Sequence, residues 1–376
     1  MSYTRREFGR LALAGLPAAA LIGRGESIFG AFAQAKPNSV FNGVQIGTIT
    51  YSYRAMPDQS AEAVLKYVLD SGISAIELMG NSVESYAGAP MPAGRGGPGA
   101  GAAGRGRRGE AAPDAPPPQF TSSWNGQPCN AQPRGDAPPQ PGRGGGGGRG
   151  RGEATAEQRA AQEEQAAKLK AWRTSVSMDK FKALRQIYND AGVKIYAWKQ
   201  DVRGMTPEEY EYIFAVAEAL GCTHTTFELR TDPAELKMMG DLALKHKVYA
   251  AYHTHLQGGM TAFDQAFAAS TGNSANVDFG HWVAAGNVGG TPMQFLQKHH
   301  ARISSFHIKD RTTPEHCALN LPFGQGETPI KDILQLVKKN KWNIPASIEM
   351  EYTVPEGSTP VDEVRKCVEY CKNALA

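Results

Sequence analysis

Lys194-Ile195-Tyr196-Ala197-Trp198 is followed by Thr206-Pro207-Glu208-Glu209, by a run ending Leu220-Gly221, by Thr223–Leu229, by Asp232-Pro233-Ala234-Glu235 and by Val248–His253. In order this is strand, helix, strand, helix, strand: short β-rich runs alternate with longer amphipathic ones. Thr206 and Asp232 offer capping oxygens, Pro207 and Pro233 sit at first helical positions, and early acids follow, which marks two helix starts. Gly221 can take the positive φ that closes a helix before the next strand.

The same unit recurs outward in both directions. Eight strand candidates emerge: Val44–Tyr51, Ala75–Met79, Lys194–Trp198, Thr223–Leu229, Val248–His253, Ala275–Asp278, Ile303–Ile308 and Ala346–Glu351. Helices are expected over Ala61–Asp70, Met178–Asp190, Pro207–Leu220, Pro233–His246, Pro292–His300, Ile330–Lys339 and Val361–Ala376. Ser71-Gly72 and Ala191-Gly192 repeat the glycine stop. Alternating strands and helices imply a parallel sheet with helices outside, and eight units suit a closed α/β (β/α)8 TIM barrel. An open doubly wound sheet is the runner-up, but Thr48–Arg54 lacks the glycine-rich phosphate loop it would carry.

Two segments stand apart from residues 40–376 as a barrel. Residues 1–35 read as a twin-arginine signal peptide: Arg5-Arg6 in a basic region, a short apolar run from Leu11 to Ile22, and Ala33-Gln34-Ala35 as small residues for cleavage. The apolar run is well short of the roughly 20 residues that span a bilayer. A periplasmic or extracytoplasmic protein handed to the twin-arginine (Tat) export machinery is expected. Residues 88–152 form a low-complexity insertion rich in Gly, Pro, Ala and Arg, a composition expected to stay disordered. It follows the second strand, so it hangs from the rim on which the loops after the strands open.

Lys and Arg number 40 against 37 Asp and Glu, a formal net charge of +3 that does not point to a nucleic-acid partner. The cysteines, Cys129, Cys222, Cys317, Cys367 and Cys371, show neither zinc-ribbon spacing nor a dense disulfide framework. Cys367 and Cys371 share a helix face and read as small buried apolar residues.

Ionisable residues gather at the ends of the later strands: Glu228, His253 and His255, Asp278 and His281, His307 and Lys309, Glu349 and Glu351. In a barrel these ends converge on one rim. A buried acid or histidine is costly without a partner, and a shared divalent metal ion supplies one. His and carboxylate ligands suit Mn, Zn, Co, Fe or Mg without choosing among them. By alternation His253 pairs with His255, His307 with Lys309 and Glu349 with Glu351 on inward faces, and spacing does not choose within a pair. Trp198 and Trp282 are placed near the mouth, where their faces could stack on a ligand ring.

The chain resembles the sugar phosphate isomerase/epimerase family, also called xylose isomerase-like TIM barrels. The likeness runs from about Val44 to the C-terminus, apart from the insertion. It rests on Val277-Asp278-Phe279-Gly280-His281-Trp282, on Arg302 to Asp310, on Gly324-Gln325-Gly326-Glu327 and on Ile348-Glu349-Met350-Glu351-Tyr352. The resemblance implies one metal ligand from each of strands five to eight: His253, Asp278, His307 and Glu349. Strand five carries His253 where many members carry glutamate, which disturbs a mechanism built on two opposed glutamates. Glu228 on strand four is then an alternative acid or base. His281 resembles a substrate-binding or ligand-supporting histidine, and Lys309 a lysine that contacts substrate oxygens.

The function expected is a metal-dependent isomerase or epimerase acting on a small sugar or sugar derivative through α-proton abstraction. Glu349, His253, Glu228 and Lys309 are its catalytic candidates, and His255, His281, Trp198 and Trp282 its substrate contacts. A lyase or dehydratase on a keto-sugar or 3-keto-glycoside shares the first step. A non-catalytic periplasmic sugar-binding barrel is the alternative of another class. Barrels of this kind often form homo-oligomers, and the sequence leaves that open.

Overall fold

The computed structural model describes residues 36–90, 123–124, 127–128 and 155–376. The expected signal segment, and most of the insertion, lie outside the described residues. One compact unit runs from Pro37 to Ala376.

Its centre is a closed barrel of eight strands: β1 (Val44–Ile49), β2 (Ala75–Met79), β3 (Lys194–Lys199), β4 (His224–Glu228), β5 (Tyr249–His253), β6 (Asn273–Asp278), β7 (Ile303–Ile308) and β8 (Ala346–Ile348). Each strand pairs in parallel with the next, and β8 pairs with β1 to close the ring. This is the (β/α)8 fold that the alternation predicts. The helices are α1 (Ala61–Asp70), α2 (Gly80–Tyr86), α3 (Ala156–Arg173), α4 (Asp179–Asp190), α5 (Pro207–Leu220), α6 (Pro233–His246), α7 (Asp264–Ala269), α8 (Phe279–Ala284), α9 (Pro292–His299), α10 (Ile330–Asn340) and α11 (Pro360–Leu375).

The local signals act as read. Asp232 Oδ1 accepts the Glu235 amide at 2.7 Å, Glu209 Oε2 accepts the Thr206 amide at 3.0 Å, and Gly221 closes α5 at φ 73°. The apolar core lies between strands and helices: Ile76, Leu78, Trp198, Phe227, Tyr252, Val277, Phe306 and Ile348 point outward and are buried against Val64, Phe214, Leu236, Ile333 and Val364. Alternation turns the intervening residues into the barrel lumen. Bulky branched residues commonly fill such a lumen. Here it holds Glu77, His224, Thr226, His253, Asn276, Ser305, His307 and Ser347, all wholly buried.

The structure adds elements that apolar periodicity does not announce. Helix α3 buries none of its residues. It is fastened at its end, where Trp172 packs edge-on against Phe181 and Tyr212 and Arg173 meets Glu84 of α2 at 2.8 Å and Glu209 of α5 at 2.9 Å. Within the insertion, Ser123–Trp124 pair with Gln127–Pro128, and the Trp124 ring lies 5.4 Å from that of His316. Cys367 and Cys371 are buried free thiols as expected, whereas Cys317 is disulfide-bonded. Among the described residues no helix is long and apolar enough to cross a membrane.

Candidate metal centre and acid–base site

Strands β5 to β8 end on one rim, and their last inward residues meet. His253, Asp278, His307 and Glu349 each offer a ligand atom, and these atoms all lie within 4.8 Å of one another. All four residues are buried. His253 Nδ1 is bonded to Asn276 Oδ1 at 2.8 Å, and its Nε2 has no hydrogen-bond partner. Asp278 divides its carboxylate. Oδ1 caps α8 by accepting the His281 amide at 2.7 Å, while Oδ2 makes no aligned hydrogen bond, although Lys309 Nζ stands 3.1 Å away.

Unsatisfied polar atoms in so dry a place call for an ion or a ligand. A bare imidazole nitrogen, and a carboxylate oxygen whose near neighbour is the Lys309 ammonium rather than an aligned hydrogen-bond donor, meet in one cluster and fit a divalent cation. Two imidazoles with two carboxylates suit Mn, Fe, Co or Zn, and leave Mg open.

Without an ion, protonated side chains balance the acids. His307 lies between Glu349 Oε2 at 2.9 Å and Glu77 Oε2 at 2.8 Å. Burial works against a charged ring, but the two carboxylates outweigh it and hold the His307 pKa up to about 10. Burial likewise works against ionised Glu77, and His307 outweighs it, bringing Glu77 down to about 2. Lys309 Nζ contacts Glu349 at 2.8 Å and Glu351 at 2.6 Å as well as Asp278. Desolvation opposes its charge, and these acids more than restore it. Glu349 sits well below the usual carboxylate range because Lys309 and His307 overcome its burial, whereas burial leaves Asp278 raised.

The sign for stability follows. The folded pKa of His307 lies above its ordinary 6.5, so its stabilisation is complete below about pH 6.5 and is lost as the pH rises toward about 10. The Tm of metal-free protein is expected to fall across that window, and Glu77→Gln to flatten the fall. Affinity for added Zn2+ should rise over the same window, because a ligating ring must shed a proton. Thermal unfolding and chelator competition at stepped pH check both.

The other expected residues divide. Glu228 stands on the opposite side, half-exposed, with Lys199 Nζ at 3.0 Å and His255 Nδ1 at 3.4 Å. Burial raises its pKa, but Lys199 and the neighbouring histidines bring it down to about 2. The rings of His253 and His255 lie 5.0 Å apart, and those of His255 and His281 4.8 Å. His281 Nδ1 accepts from Arg311, so the Nε2 side is the one facing Glu351, 3.9 Å away. Of these, His255, Glu228 and Glu351 keep exposed surface at the rim.

Trp198 and Trp282 do not. Both are fully buried in the outer core. Trp198 packs edge-on against Tyr212 of α5, and Trp282 against Phe295 of α9 with Nε1 bonded to Gly290 O at 2.9 Å. The sugar-stacking role is therefore corrected. Trp198 occupies an outward position of β3, and the first turn of α8 carries Trp282 away from the rim. Tyr51, half-exposed beside Arg54, keeps its ring at the surface.

Sequence reasoning missed Glu77, Asn276 and Lys199. The signal for Glu77 was one ionisable residue inside Ala75-Ile76-Glu77-Leu78-Met79, where an unpartnered charge would be costly.

Gly280 sets a further constraint. A Cβ there would lie 2.2 Å from Lys309 Cγ and 2.7 Å from the Lys309 carbonyl oxygen. One neighbour is backbone, so the chain at Lys309, just past β7, must move. Gly280→Ala is expected to cost about 1–3 kcal/mol of stability and to lower kcat/KM further than the same loss placed elsewhere. A Tm measurement beside steady-state kinetics separates the two effects.

Residues 207–373 match the family profile described as Xylose isomerase-like TIM barrel. Among solved structures the chain is similar to a xylose isomerase domain protein from Alicyclobacillus acidocaldarius, with 11% identity and a TM-score of 0.51 over 88% of this chain and 99% of that one. It is similar also to the probable 3-DHS dehydratase AsbF, involved in petrobactin synthesis, from Bacillus anthracis, with 13% identity and a TM-score of 0.50 over 87% of this chain and 98% of that one. At such identities the likeness to solved structures concerns the fold. No curated protein sequence matches. Over residues 207–373 this chain is therefore similar to the xylose isomerase-like TIM barrel family, and the likeness covers the later half of the barrel.

Proposed function

We propose that the protein is a metal-dependent sugar isomerase or epimerase that removes the proton α to a carbonyl in a small sugar or sugar derivative. The observation that carries the reading is the meeting of His253, Asp278, His307 and Glu349, with His253 Nε2 bare and Asp278 Oδ2 outside any aligned hydrogen bond. A divalent ion held by these four would supply Lewis acidity toward the carbonyl and neighbouring hydroxyl oxygens.

The chain's own residues do the rest. Glu349 is kept ionised and takes the α-proton. Lys309, charged and 2.8 Å from Glu349, donates to substrate oxygens as negative charge develops. Glu228 stands across the mouth as the second proton carrier, oriented by Lys199 and His255. His255 and His281 bind hydroxyls.

A second reading, a lyase or dehydratase on a keto-sugar or 3-keto-glycoside, is favoured by one observation. Strand five presents His253, with Nε2 turned into the cluster, rather than a second glutamate. Elimination needs one base and a donor to the leaving group, not two opposed bases. Arg5-Arg6 and the apolar run after it support export through the twin-arginine machinery to the periplasm. The disulfide at Cys317 suits an oxidising compartment.

Elemental analysis of the purified protein and of Asp278→Ala tests the reading. About one Mn, Zn, Co or Fe per chain, lost in the variant, is the expected result. Keto-sugars in heavy water should then gain deuterium at the α-carbon. An isomer or epimer as product supports the first reading, and loss of water or an aglycone the second. Absence of metal even after reconstitution would overturn both and leave a sugar-binding barrel.

A further inference from the structure

We infer that Glu77 and Asn276, which lie outside the proposed ligand set, are positioning residues that dictate which ring nitrogen each histidine leaves for a cation: Nε2 of His253 and Nδ1 of His307. The inference rests on reading the cluster as a metal site and deepens it. It arises from a chain of hydrogen bonds in which each group has only one role open to it.

Glu77 begins the chain. It is wholly buried beneath the cluster, and as a carboxylate it can only accept. Its Oε1 accepts from the Thr226 hydroxyl at 2.7 Å. Its Oε2 faces Asn276 Nδ2 at 3.3 Å and His307 Nε2 at 2.8 Å. Because Glu77 cannot donate, Asn276 must turn its amide NH2 toward the carboxylate. Ser305 Oγ, 2.6 Å from the same Nδ2, accepts its other hydrogen. The Asn276 carbonyl is thereby turned toward His253, with Oδ1 2.8 Å from Nδ1.

A carbonyl oxygen also only accepts, so the His253 hydrogen sits on Nδ1. Nε2 is left as a lone pair, and it is the nitrogen without a protein partner. The reversed amide would reverse the ring: NH2 against Nδ1 would force the hydrogen onto Nε2 and close that nitrogen to a cation. Glu77 settles His307 directly. Its Nε2 donates to the carboxylate, and Nδ1 is left beside Glu349 Oε2 at 2.9 Å and Asp278 Oδ2 at 4.0 Å. One buried acid on β2 thus sets both rings, one by contact and one through an amide. Glu77 is fully screened from the mouth, so it acts on substrate through the rings alone. Supporting hydrogen bonds of this kind fix ring orientation and tautomer at metal sites.

The test reads the rings themselves. In metal-free wild-type protein with 15N-labelled histidine, the NMR signals of His253 are expected to show hydrogen on Nδ1 and a bare Nε2. The isosteric Glu77→Gln lets Asn276 turn over. It is expected to shift His253 toward the Nε2–H form and to weaken Zn2+ binding by about 10- to 100-fold in competition with a chelating dye. Hydrogen on Nε2 of wild-type His253 overturns the inference. So does a Glu77→Gln protein that binds Zn2+ as tightly as wild type. Should that variant not fold, the wild-type tautomer still decides. Failure of the wild type to bind any metal would overturn the metal reading instead, which the metal-free spectra keep distinct.

Discussion

Glu349→Gln is expected to reduce turnover on any accepted substrate by on the order of 10²–10⁴-fold, the usual contribution of a positioned acid–base group. Glutamine keeps the shape of the side chain but cannot take a proton at the α-carbon. It also removes the charge shared by His307 Nδ1 at 2.9 Å and Lys309 Nζ at 2.8 Å. Folding should survive, because His307 retains Glu77 and Lys309 retains Asp278 and Glu351. The measurement is kcat/KM with metal content and Tm on the same preparation. Activity within tenfold of wild type, with metal bound, would remove Glu349 from the role of base. Loss of both metal and activity would make it a ligand first.

The largest expected effect on stability lies far from the chemistry. Arg173 holds Glu84 in a two-pronged contact at 2.8 and 3.1 Å and Glu209 at 2.9 Å, with the Tyr212 hydroxyl 3.2 Å from Glu84. The arginine side chain is 10% exposed and the two acids 3% and 5%. Arg173→Ala would leave two buried carboxylates without their cation, a loss of about 3–5 kcal/mol. It would also loosen the end of α3, leaving Trp172 against Phe181 and Tyr212 to hold it. Denaturant unfolding should show the loss, and adding Glu84→Gln should recover part of it. A loss below about 1 kcal/mol would mean that the pairing is no better than a surface salt bridge.

Both results bear on what could be read from the chain. The barrel was legible because strand and helix periods, capping residues and glycine stops agree from Lys194 to His253. Helix α3 was not. A search for apolar stripes finds none there, and the helix is marked instead by Thr155 and Gln158, which close a capping box. The ionisable ends of strands five to eight were legible, and alternation grouped His253 with His255, His307 with Lys309 and Glu349 with Glu351, but the choice of His253, Asp278, His307 and Glu349 as ligands came from the family resemblance. Alternation could not place Trp282, because β6 ends at Asp278 and a helix starts at once. Nor could it reveal that Glu77 on β2 meets His307 on β7, since that contact crosses the closed lumen. Asn276, reading as a neutral strand residue, gave no sign that it mediates between them.

The divided carboxylate of Asp278 bears on which residue types that position can hold. Oδ1 closes the first turn of α8 at the His281 amide, and Oδ2 faces the cluster. Asparagine or serine could cap the turn but would bring no charge to the ion. Glutamate would bring the charge, but its longer arm makes it a poor cap. The two duties together admit aspartate alone, so a library randomised at 278 and selected for activity should return a single amino acid, whereas neighbouring positions selected for one duty would return several.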